Sequence, residues 1–266
     1  MIPAAGVAAR GARTLHFQTI GEGPALVLIP GLGSGSKLFG TLPRRFARNA
    51  RKTLTYDPVG VTPSSPLDGT YCFEEAADDV FAVADAAGVE TLDLVGTSLG
   101  GKVALVAAAR HPDRVRRVVL LASSAVVHER AKRVYRFFET VAGTLPADRF
   151  ADAVVPFLFG RTFLEERPAV VDDIARATRP DDARRALMVA QARALQDFDG
   201  VPWARSVRAP TLCLAGAEDT LTDLGDVERT ARVLPSGTFR AFDRAGHSLL
   251  LEDAAVFEAV LGFLDA

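Results

Sequence analysis

The chain has 266 residues, of which 48% are hydrophobic and 24% are charged, and its formal net charge is −2 at pH 7. This length fits one large α/β domain or a domain that carries an insertion, and the apolar content is ample for a core. Acidic and basic residues are interleaved, as in DDARRAL at 181–187. That mixture predicts solvated helix faces and disfavours nucleic acid or an anionic membrane surface as a partner.

Cysteine usage and the N-terminal composition indicate a compartment. The two cysteines, Cys72 and Cys213, suggest neither a disulfide framework nor a metal site, which favours a reducing environment. Residues 1–12 are rich in Ala, Gly and Arg without a basic region before a long apolar run, so we expect a flexible arm rather than a signal peptide. No apolar stretch approaches the roughly 20 residues that cross a bilayer. We therefore expect a cytoplasmic protein.

The first third of the chain alternates short apolar runs with a helical pattern. Residues 13–20 and 25–29 are predicted strands, separated by the turn signal GEGP. Residues 52–56 (KTLTY) predict a third strand. Residues 73–87 place apolar side chains at helical spacing, and Gly88 ends that pattern.

The middle and the end of the chain repeat the alternation, but a purely helical block separates them. The predicted elements are strands at 91–95 and 114–123 around a helix at 102–110, then strands at 209–216 and 238–242 and a helix at 249–264. Between residue 125 and about residue 203 the pattern predicts helices without convincing strands.

This order of elements predicts an α/β fold with a mostly parallel central β-sheet flanked by helices. The helical block interrupts that sheet, which indicates a lid inserted into one domain. We expect a core over 13–125 and 203–266, a helical lid over 126–202, and the flexible arm over 1–12.

The stretch GTSLGG lies between a predicted strand and a predicted helix and centres on Ser98. Gly96 and Gly100 remove side chains that would collide in a sharp strand-to-helix turn. Such a turn presents the Ser98 hydroxyl at a helix N-terminus, which favours a developing anion. The G-x-S-x-G pattern in this position is typical of a nucleophile elbow. The alternative is a serine that caps an ordinary helix.

A serine nucleophile needs a base, and the chain has four histidines. His247 stands in AGHSLLLED, between the last predicted strand and the last helix, where a loop can carry the imidazole over the carboxyl edge of the sheet. It is the predicted base. His16 in a strand and His111 at a helix end fit structural roles, while His128 fits an exposed position with a substrate contact as the alternative.

The base needs a carboxylate that fixes its tautomer. Asp219 follows a predicted strand directly in AGAEDTLTD, and the chain order Ser, Asp, His is typical of enzymes with this elbow. Asp219 is the predicted acid. Glu218 is the adjacent rival, and Asp243 lies nearer to His247 in sequence but is expected at a strand end or turn.

Two backbone amides are predicted to stabilise an oxyanion. One belongs to Leu99, immediately after the serine, and the other to Leu32 in the glycine-rich loop IPGLGSGS. A glycine-rich loop after a strand could instead hold phosphate, but this one lacks the G-x-x-x-x-G-K-[ST] spacing and the dinucleotide fingerprint. We predict no cofactor and no metal.

Taken together, IPGLGSGS, YDPVGVTPS, VGTSLGG, AGAEDTLTD and AGHSLLLED resemble the α/β-hydrolase fold superfamily. The resemblance covers about residues 14–125 and 203–265 and is greatest to small lid-bearing serine hydrolases such as 3-oxoadipate enol-lactonases and carboxylesterases. It implies that Ser98 is the nucleophile, His247 the base and Asp219 the acid, with Leu32 and Leu99 as oxyanion donors. A serine at the elbow disfavours the dehalogenases and epoxide hydrolases, which use Asp there.

Two motifs depart from the pattern that this resemblance implies. Pro30 stands where family members usually have His, and DPVGVTPS carries Val59 and Thr62 where many members have Arg and Gly. The other motif positions match: Asp57, Gly60 and Ser64. We expect the departures to reshape the pocket floor without removing a reacting group.

The helical block holds the only substrate clue. Phe137, Phe138 and Phe157 are predicted to line an apolar substrate pocket, and the alternative is that they pack the lid onto the core. A substrate carboxylate could also meet one of several arginines that are otherwise solvated: Arg130, Arg133, Arg136 or Arg161.

The sequence thus predicts a serine hydrolase that cleaves an ester, lactone or thioester of a small, largely apolar substrate through an acyl-enzyme. The first alternative is a non-hydrolytic enzyme of the same fold, a lyase, decarboxylase or cyclase that uses the triad as an acid–base device. The second is a small-molecule binding protein on the same scaffold.

Overall fold

The protein is described by a computed structural model over residues 2–177 and 179–266. Within these residues, eight strands form one sheet. The strands are β1 Ala4–Arg10, β2 Arg13–Ile20, β3 Ala25–Ile29, β4 Lys52–Tyr56, β5 Leu92–Thr97, β6 Val115–Leu121, β7 Thr211–Gly216 and β8 Gly237–Phe242.

The strand order across the sheet is β1-β2-β4-β3-β5-β6-β7-β8. β2 pairs antiparallel with both β1 and β4, and every other pairing in the sheet is parallel. The predicted mostly parallel sheet is therefore confirmed. Because the carboxyl ends of parallel strands meet at one edge, the loops after β3, β5, β7 and β8 lie side by side. These loops contain the predicted site residues.

The expectation of a flexible N-terminal arm is wrong. β1 pairs with β2 along its whole length, from Ala4 opposite Thr19 to Arg10 opposite Arg13. Arg10 Nε and Arg13 Nη1 also bind the buried carboxylate of Asp79, at 2.7 Å and 2.9 Å. Alanine and glycine have weak strand preferences of their own, so the order of this segment comes from its partners. Met1 lies outside the described residues.

The helices of the described residues flank the sheet or fill the segment between β6 and β7. They are α1 Leu42–Arg48, α2 Phe73–Ala86, α3 Leu99–Arg110, α4 Glu129–Thr144, α5 Ala147–Leu158, α6 Arg161–Glu166, α7 Pro168–Ala177, α8 Asp182–Gln196, α9 Val201–Ser206, α10 Leu224–Val233, α11 Leu249–Glu252 and α12 Ala254–Asp265. The single final helix predicted at 249–264 is two helices, because the Asp253 side chain accepts a hydrogen bond from Ala255 N and begins α12.

The core lies on both faces of the sheet. On one face, strand residues such as Val27 and Leu94 pack against α2, α3 and α10. On the other, residues such as Leu28 pack against Phe46 of α1 and against α12. Cys213 is fully buried in this core, as its apolar neighbours predict. None of the helices in the described residues has the length and apolar character that crossing a membrane requires.

The helices α4 to α8 form a separate layer, which we call the helical insertion (residues 129–196). α4 packs along α8, and side chains including Phe138, Phe150 and Met188 form a third apolar cluster between the helices. This segment falls within the lid expected at 126–202, of which Thr178 lies outside the described residues. That the insertion acts as a lid stays a prediction.

Candidate active site

Ser98 lies at the sharp turn between β5 and α3. Its backbone has φ 55° and ψ −120°, a left-handed conformation that non-glycine residues rarely adopt. A Cβ on Gly96 would collide with the carbonyl group of Gly100, and a Cβ on Gly100 would collide with the carbonyl oxygens of Ile29 and Pro30. The glycines around Ser98 are therefore required by this turn, as the sequence predicted.

The turn also places Ser98 at a favourable electrostatic position. Ser98 N donates to Leu121 O of β6 at 2.8 Å, which anchors the turn to the neighbouring strand. The residue itself precedes the first turn of α3, where amide groups have no intrahelical partner and the helix dipole is positive. An anion that forms at Ser98 is stabilised by this helix end.

Asp219 and His247 are brought together from the loops after β7 and β8. His247 Nδ1 lies 2.8 Å from Asp219 Oδ2, and both side chains are buried. The other oxygen, Asp219 Oδ1, accepts hydrogen bonds from Leu221 N at 2.8 Å and Thr222 N at 2.9 Å. The carboxylate is thus held by its own turn while one oxygen faces the imidazole.

The pKa of His247 is raised above its ordinary value. Burial disfavours the charged imidazolium, but the negative charge of Asp219 and its hydrogen bond to Nδ1 outweigh that effect. Glu252 adds to the rise, and Lys102 opposes it. Because Nδ1 faces a carboxylate, Nε2 is the nitrogen left to accept a proton.

No hydrogen bond joins Ser98 to His247 among the residues that the structure describes. Ser98 follows β5 and His247 follows β8, so both lie at the same sheet edge, with β6 and β7 between their strands. A contact between a nucleophile and its base is often long without substrate and tightens in the complex. Asp219 and His247 of the predicted triad are in contact, and the contact of His247 with Ser98 stays a prediction.

The glycine-rich loop after β3 packs directly against Ser98. A Cβ added at Gly31 would lie 3.5 Å from the Ser98 Cβ, so the loop passes close to the serine. In the described part of the chain, the amides of Leu32 and Leu99 make no backbone hydrogen bond. Their role as oxyanion donors beside Ser98 stays a prediction.

Three side chains that the sequence did not single out hold this loop in place. Gln191 Oε1 of α8 accepts a hydrogen bond from Gly33 N at 2.7 Å, and Arg184 Nε donates to Gly33 O at 2.9 Å. From the other side, Ser36 N and Oγ donate to Asp57 Oδ1 at 2.8 Å and 2.9 Å. Asp57 was noted only as a motif match. The helical insertion is thus part of the support of the loop that carries Leu32.

The positions that depart from the family pattern lie close to this loop. Val59 is buried, and together with Pro30 it lines a small cavity behind the loop, beside Leu99 and Tyr71. The same cavity is also lined by the charged side chains of Arg13 and Asp79. The matching residue Ser64 donates to Asp57 O at 2.6 Å and accepts from His16 N at 2.9 Å, which ties the motif to β2.

The three phenylalanines predicted to contact substrate form one cluster. The ring centroids of Phe137, Phe138 and Phe157 lie 5.3 Å to 5.8 Å apart, with tilted or edge-to-face geometry. Phe138 is buried, whereas Phe137 is 38% exposed. The same apolar cluster includes Leu32 and Leu221, so it reaches both the oxyanion loop and the Asp219 turn. Contact with substrate stays a prediction for these residues.

The rival residues have other partners. Glu218 binds the backbone and side chain of Thr162 rather than His247. Asp243 is exposed. Five of the other candidate histidines and arginines contact other groups: His111 contacts Asp78, His128 contacts Asp226, Arg130 donates to Thr220 O, and Arg133 and Arg136 pair with Glu129.

A buried lysine one helical turn after Ser98 was missed by the sequence argument. Lys102 is 3% exposed, and its Nζ donates to Ser124 O. Burial lowers its pKa to about 7, although the nearby charge of Asp226 acts in the opposite direction. A polar residue inside an apolar helix, in LGGKVALVA, is the signal that could have drawn attention to it.

The arrangement of an elbow serine, a buried histidine–aspartate pair and a glycine-rich loop agrees with a family comparison. The family model described as "alpha/beta hydrolase fold" matches residues 24–254. The chain belongs to the α/β-hydrolase fold family. The fold predicted from the sequence motifs is thereby confirmed.

Individual relatives agree with this family. A 2-hydroxymuconate semialdehyde hydrolase from Pseudomonas putida is 30% identical over 263 residues, which cover 94% of this chain and 90% of the relative. The serine hydrolase BPHL from Mus musculus is 34% identical over 146 residues, 53% of this chain and 50% of the relative. The crystal structure of an enol-lactonase from Burkholderia xenovorans LB400 has a TM-score of 0.88 at 26% identity. The superposition covers 98% of this chain and 100% of the enol-lactonase chain. Family and relatives identify an α/β-hydrolase-type hydrolase.

Proposed function

We propose that this protein is a serine hydrolase that cleaves an ester, lactone or thioester through an acyl-enzyme. The observation that carries the proposal is the 2.8 Å contact between His247 Nδ1 and Asp219 Oδ2, because it orients Nε2 as a base beside the sheet edge where Ser98 stands. The strained backbone of Ser98 supports the role of nucleophile.

The reaction follows from the positions of these groups. His247 Nε2 takes the proton of Ser98 Oγ while Oγ forms a bond to the substrate carbonyl carbon. The carbonyl oxygen becomes an oxyanion and accepts hydrogen bonds from the amides of Leu32 and Leu99. The imidazolium then gives its proton to the departing alcohol or thiol, and the carbon–oxygen or carbon–sulfur bond breaks.

Hydrolysis of the acyl-enzyme uses the same groups in the reverse order. His247 takes a proton from water as the water oxygen attacks the acyl carbon, and the second oxyanion collapses with protonation of Ser98 Oγ. Asp219 stabilises the imidazolium in both halves and keeps Nδ1 as the donor. The chemistry needs only side chains and amides of this chain.

A small and largely apolar substrate is the class that we propose. Phe138 and Phe157 belong to an apolar cluster with Leu32, whose amide is one of the proposed oxyanion donors, and Phe137 contacts the Phe157 ring. Two similar proteins are named for their substrates, the 2-hydroxymuconate semialdehyde hydrolase and the enol-lactonase. We therefore place lactones and esters of short acyl chains first among the substrates to test.

The test is covalent labelling of the serine. Native protein treated with a fluorophosphonate is expected to gain one adduct by intact mass, and Ser98→Ala is expected to gain none. Ser206→Ala, which changes an exposed serine at the end of α9, is the matched control and should label like the native protein. A folded native protein that forms no adduct would contradict the proposal and would favour lyase-type acid–base chemistry or binding without turnover.

A further inference from the structure

One backbone segment of the helical insertion is held by a carboxylate that also holds the loop of His247. Glu252 Oε2 accepts hydrogen bonds from Gly160 N and from Gly246 N, each at 2.8 Å. Its other oxygen, Oε1, accepts from Ser248 N at 2.8 Å. The two amides that flank His247 and one amide of the insertion thus meet on a single side chain.

A second carboxylate holds the same segment from the Asp219 side. Glu218 Oε2 accepts from Thr162 N at 2.7 Å, and Oε1 accepts from the Thr162 hydroxyl at 2.6 Å. Glu218 N in turn donates to Ala245 O at 3.0 Å, so the turn of Asp219 is joined to the loop of His247. The segment 160–162 is therefore a common anchor for both predicted triad loops.

This anchor requires glycine at two positions, because two backbone segments lie very close together there. A Cβ on Gly160 would lie 2.7 Å from Glu218 Oε2 and 2.8 Å from Gly246 N. A Cβ on Gly246 would collide with Gly160 itself. Only two glycines allow these backbones to approach closely enough for Glu252 to bind both amides.

We propose that Glu252 is a positioning residue for His247, and that it couples the base to the segment 160–162 of the helical insertion. The functional part of this inference rests on the proposed function, in which His247 is the base. Glu252 acts through backbone amides on either side of His247 and not through the substrate.

Removal of the Glu252 carboxylate should destabilise the local structure that it holds. Three amides would lose their acceptor in a partly buried site, and unsatisfied donors drive local rearrangement. In Glu252→Gln the amide oxygen can still serve Gly160 N and Gly246 N, but its NH₂ group then faces Ser248 N–H, donor against donor. Glu252→Gln is thus a milder change than Glu252→Ala, which removes all three bonds.

Because Glu252 is charged, its neutralisation should change the pKa of His247. The charged groups that face His247 are Asp219 and Glu252, which raise its pKa, and Lys102, which lowers it. Asp219 also faces Glu252. Neutralising Glu252 should lower the pKa of His247, whereas neutralising Lys102 should raise it.

The experiment measures His247 directly by NMR titration of its imidazole carbon-bound proton, assigned by comparison with His247→Gln, in the Ser98→Ala background. We expect a titration shifted to lower pH in Glu252→Gln and to higher pH in Lys102→Met. In proteins that retain Ser98, Glu252→Gln should reduce kcat by up to about 100-fold with little change in KM, since displacements near 1 Å have effects of this size. Glu252→Ala should lose more.

Glu166→Gln is the matched control, because Glu166 lies at the end of α6, shortly after the segment 160–162, and pairs with exposed Arg244. It should leave the titration and kcat unchanged. An unshifted titration together with an unchanged kcat in Glu252→Gln would overturn the inference. A shifted titration with an unchanged kcat would also overturn the positioning role, because the charge of Glu252 alone would then account for the shift. A native protein without hydrolase activity would refute the proposed function, which the titration does not test.

Discussion

Asp219 gives one carboxylate oxygen to His247 and keeps the other for its own turn. Oδ2 faces His247 Nδ1 at 2.8 Å, and Oδ1 accepts from two backbone amides, Leu221 N and Thr222 N. An asparagine at position 219 therefore cannot satisfy both His247 and the two amides. Its single oxygen is needed by the two amides, so its NH₂ group must point at Nδ1 and force the proton of the imidazole onto Nε2.

Asp219→Asn is therefore expected to lower kcat by about 10³- to 10⁴-fold on an ester substrate while the protein stays folded. Asp243→Asn, which changes an exposed residue nearer to His247 in sequence, is the control and should retain activity. Steady-state kinetics with a thermal melt of each variant measures both effects. A kcat within tenfold of the native value for Asp219→Asn would rule out Asp219 as the acid.

The acidic limb of the pH–rate profile reports the titration of His247. The imidazole is a base only when neutral, and its pKa is raised, so activity should rise with pH and reach half its plateau above the ordinary histidine value of about 6.5. The measurement is kcat/KM against pH for a substrate whose own groups do not titrate in this range. A limb centred below that value would contradict the arrangement of charges around His247.

The glycines of the elbow should be intolerant of a single methyl group. Gly96→Ala and Gly100→Ala each introduce a Cβ against backbone carbonyl groups that cannot easily move, so we expect a loss of about 1–3 kcal/mol in the free energy of unfolding. Gly262→Ala, at an exposed position of α12 with open space around the added Cβ, should instead stabilise by roughly 0.5–1 kcal/mol. Free energies of unfolding from urea titrations of the three variants distinguish the steric effect of the added Cβ from the effect of helix propensity.

Lys102 should make stability depend on pH in a predictable direction. Its pKa is about 7 in the folded protein against 10.5 ordinarily, so between these values the unfolded chain binds one more proton and stability rises with pH. The contribution is on the order of 1 kcal/mol per pH unit. Above about pH 9 the buried thiol of Cys213, whose pKa burial raises to about 12, acts in the opposite direction.

Lys102→Met removes this term, so the free energy of unfolding of the variant relative to the native protein should fall steadily from about pH 7 to about pH 9. Exposed Lys37→Met is the control, and its difference from the native protein should not vary with pH. Free energies of unfolding from urea titrations at each pH give the comparison. A constant difference for Lys102→Met would show that the lysine titrates normally.

The parts of the fold that the sequence predicted well are those that depend on local pattern. β3 and β4 were bounded correctly because short apolar runs lie between clear turn signals. The turn at Ser98 was predicted because neighbouring glycines are needed for a short-range steric reason. β1 was missed because an Ala- and Gly-rich segment has little strand preference until β2 pairs with it.

The supporting residues of the site could not be predicted in the same way. Gln191 is 158 positions away from the amide that it binds, and Glu252 is 92 positions from Gly160. In the sequence, both are polar residues in helical patterns, which ordinarily face solvent. Their roles follow only from the tertiary packing of the insertion against the sheet edge.

That packing has a consequence for chimeric enzymes. The insertion supplies the acceptor for Gly33 N through Gln191 and the donor for Glu252 through Gly160, at opposite sides of the sheet edge. Replacing residues 129–196 with the helices of another family member would remove both at once. A transplant that keeps a glutamine and a glycine at these two points should preserve turnover, whereas one chosen only for its substrate-facing side chains should fold and remain slow.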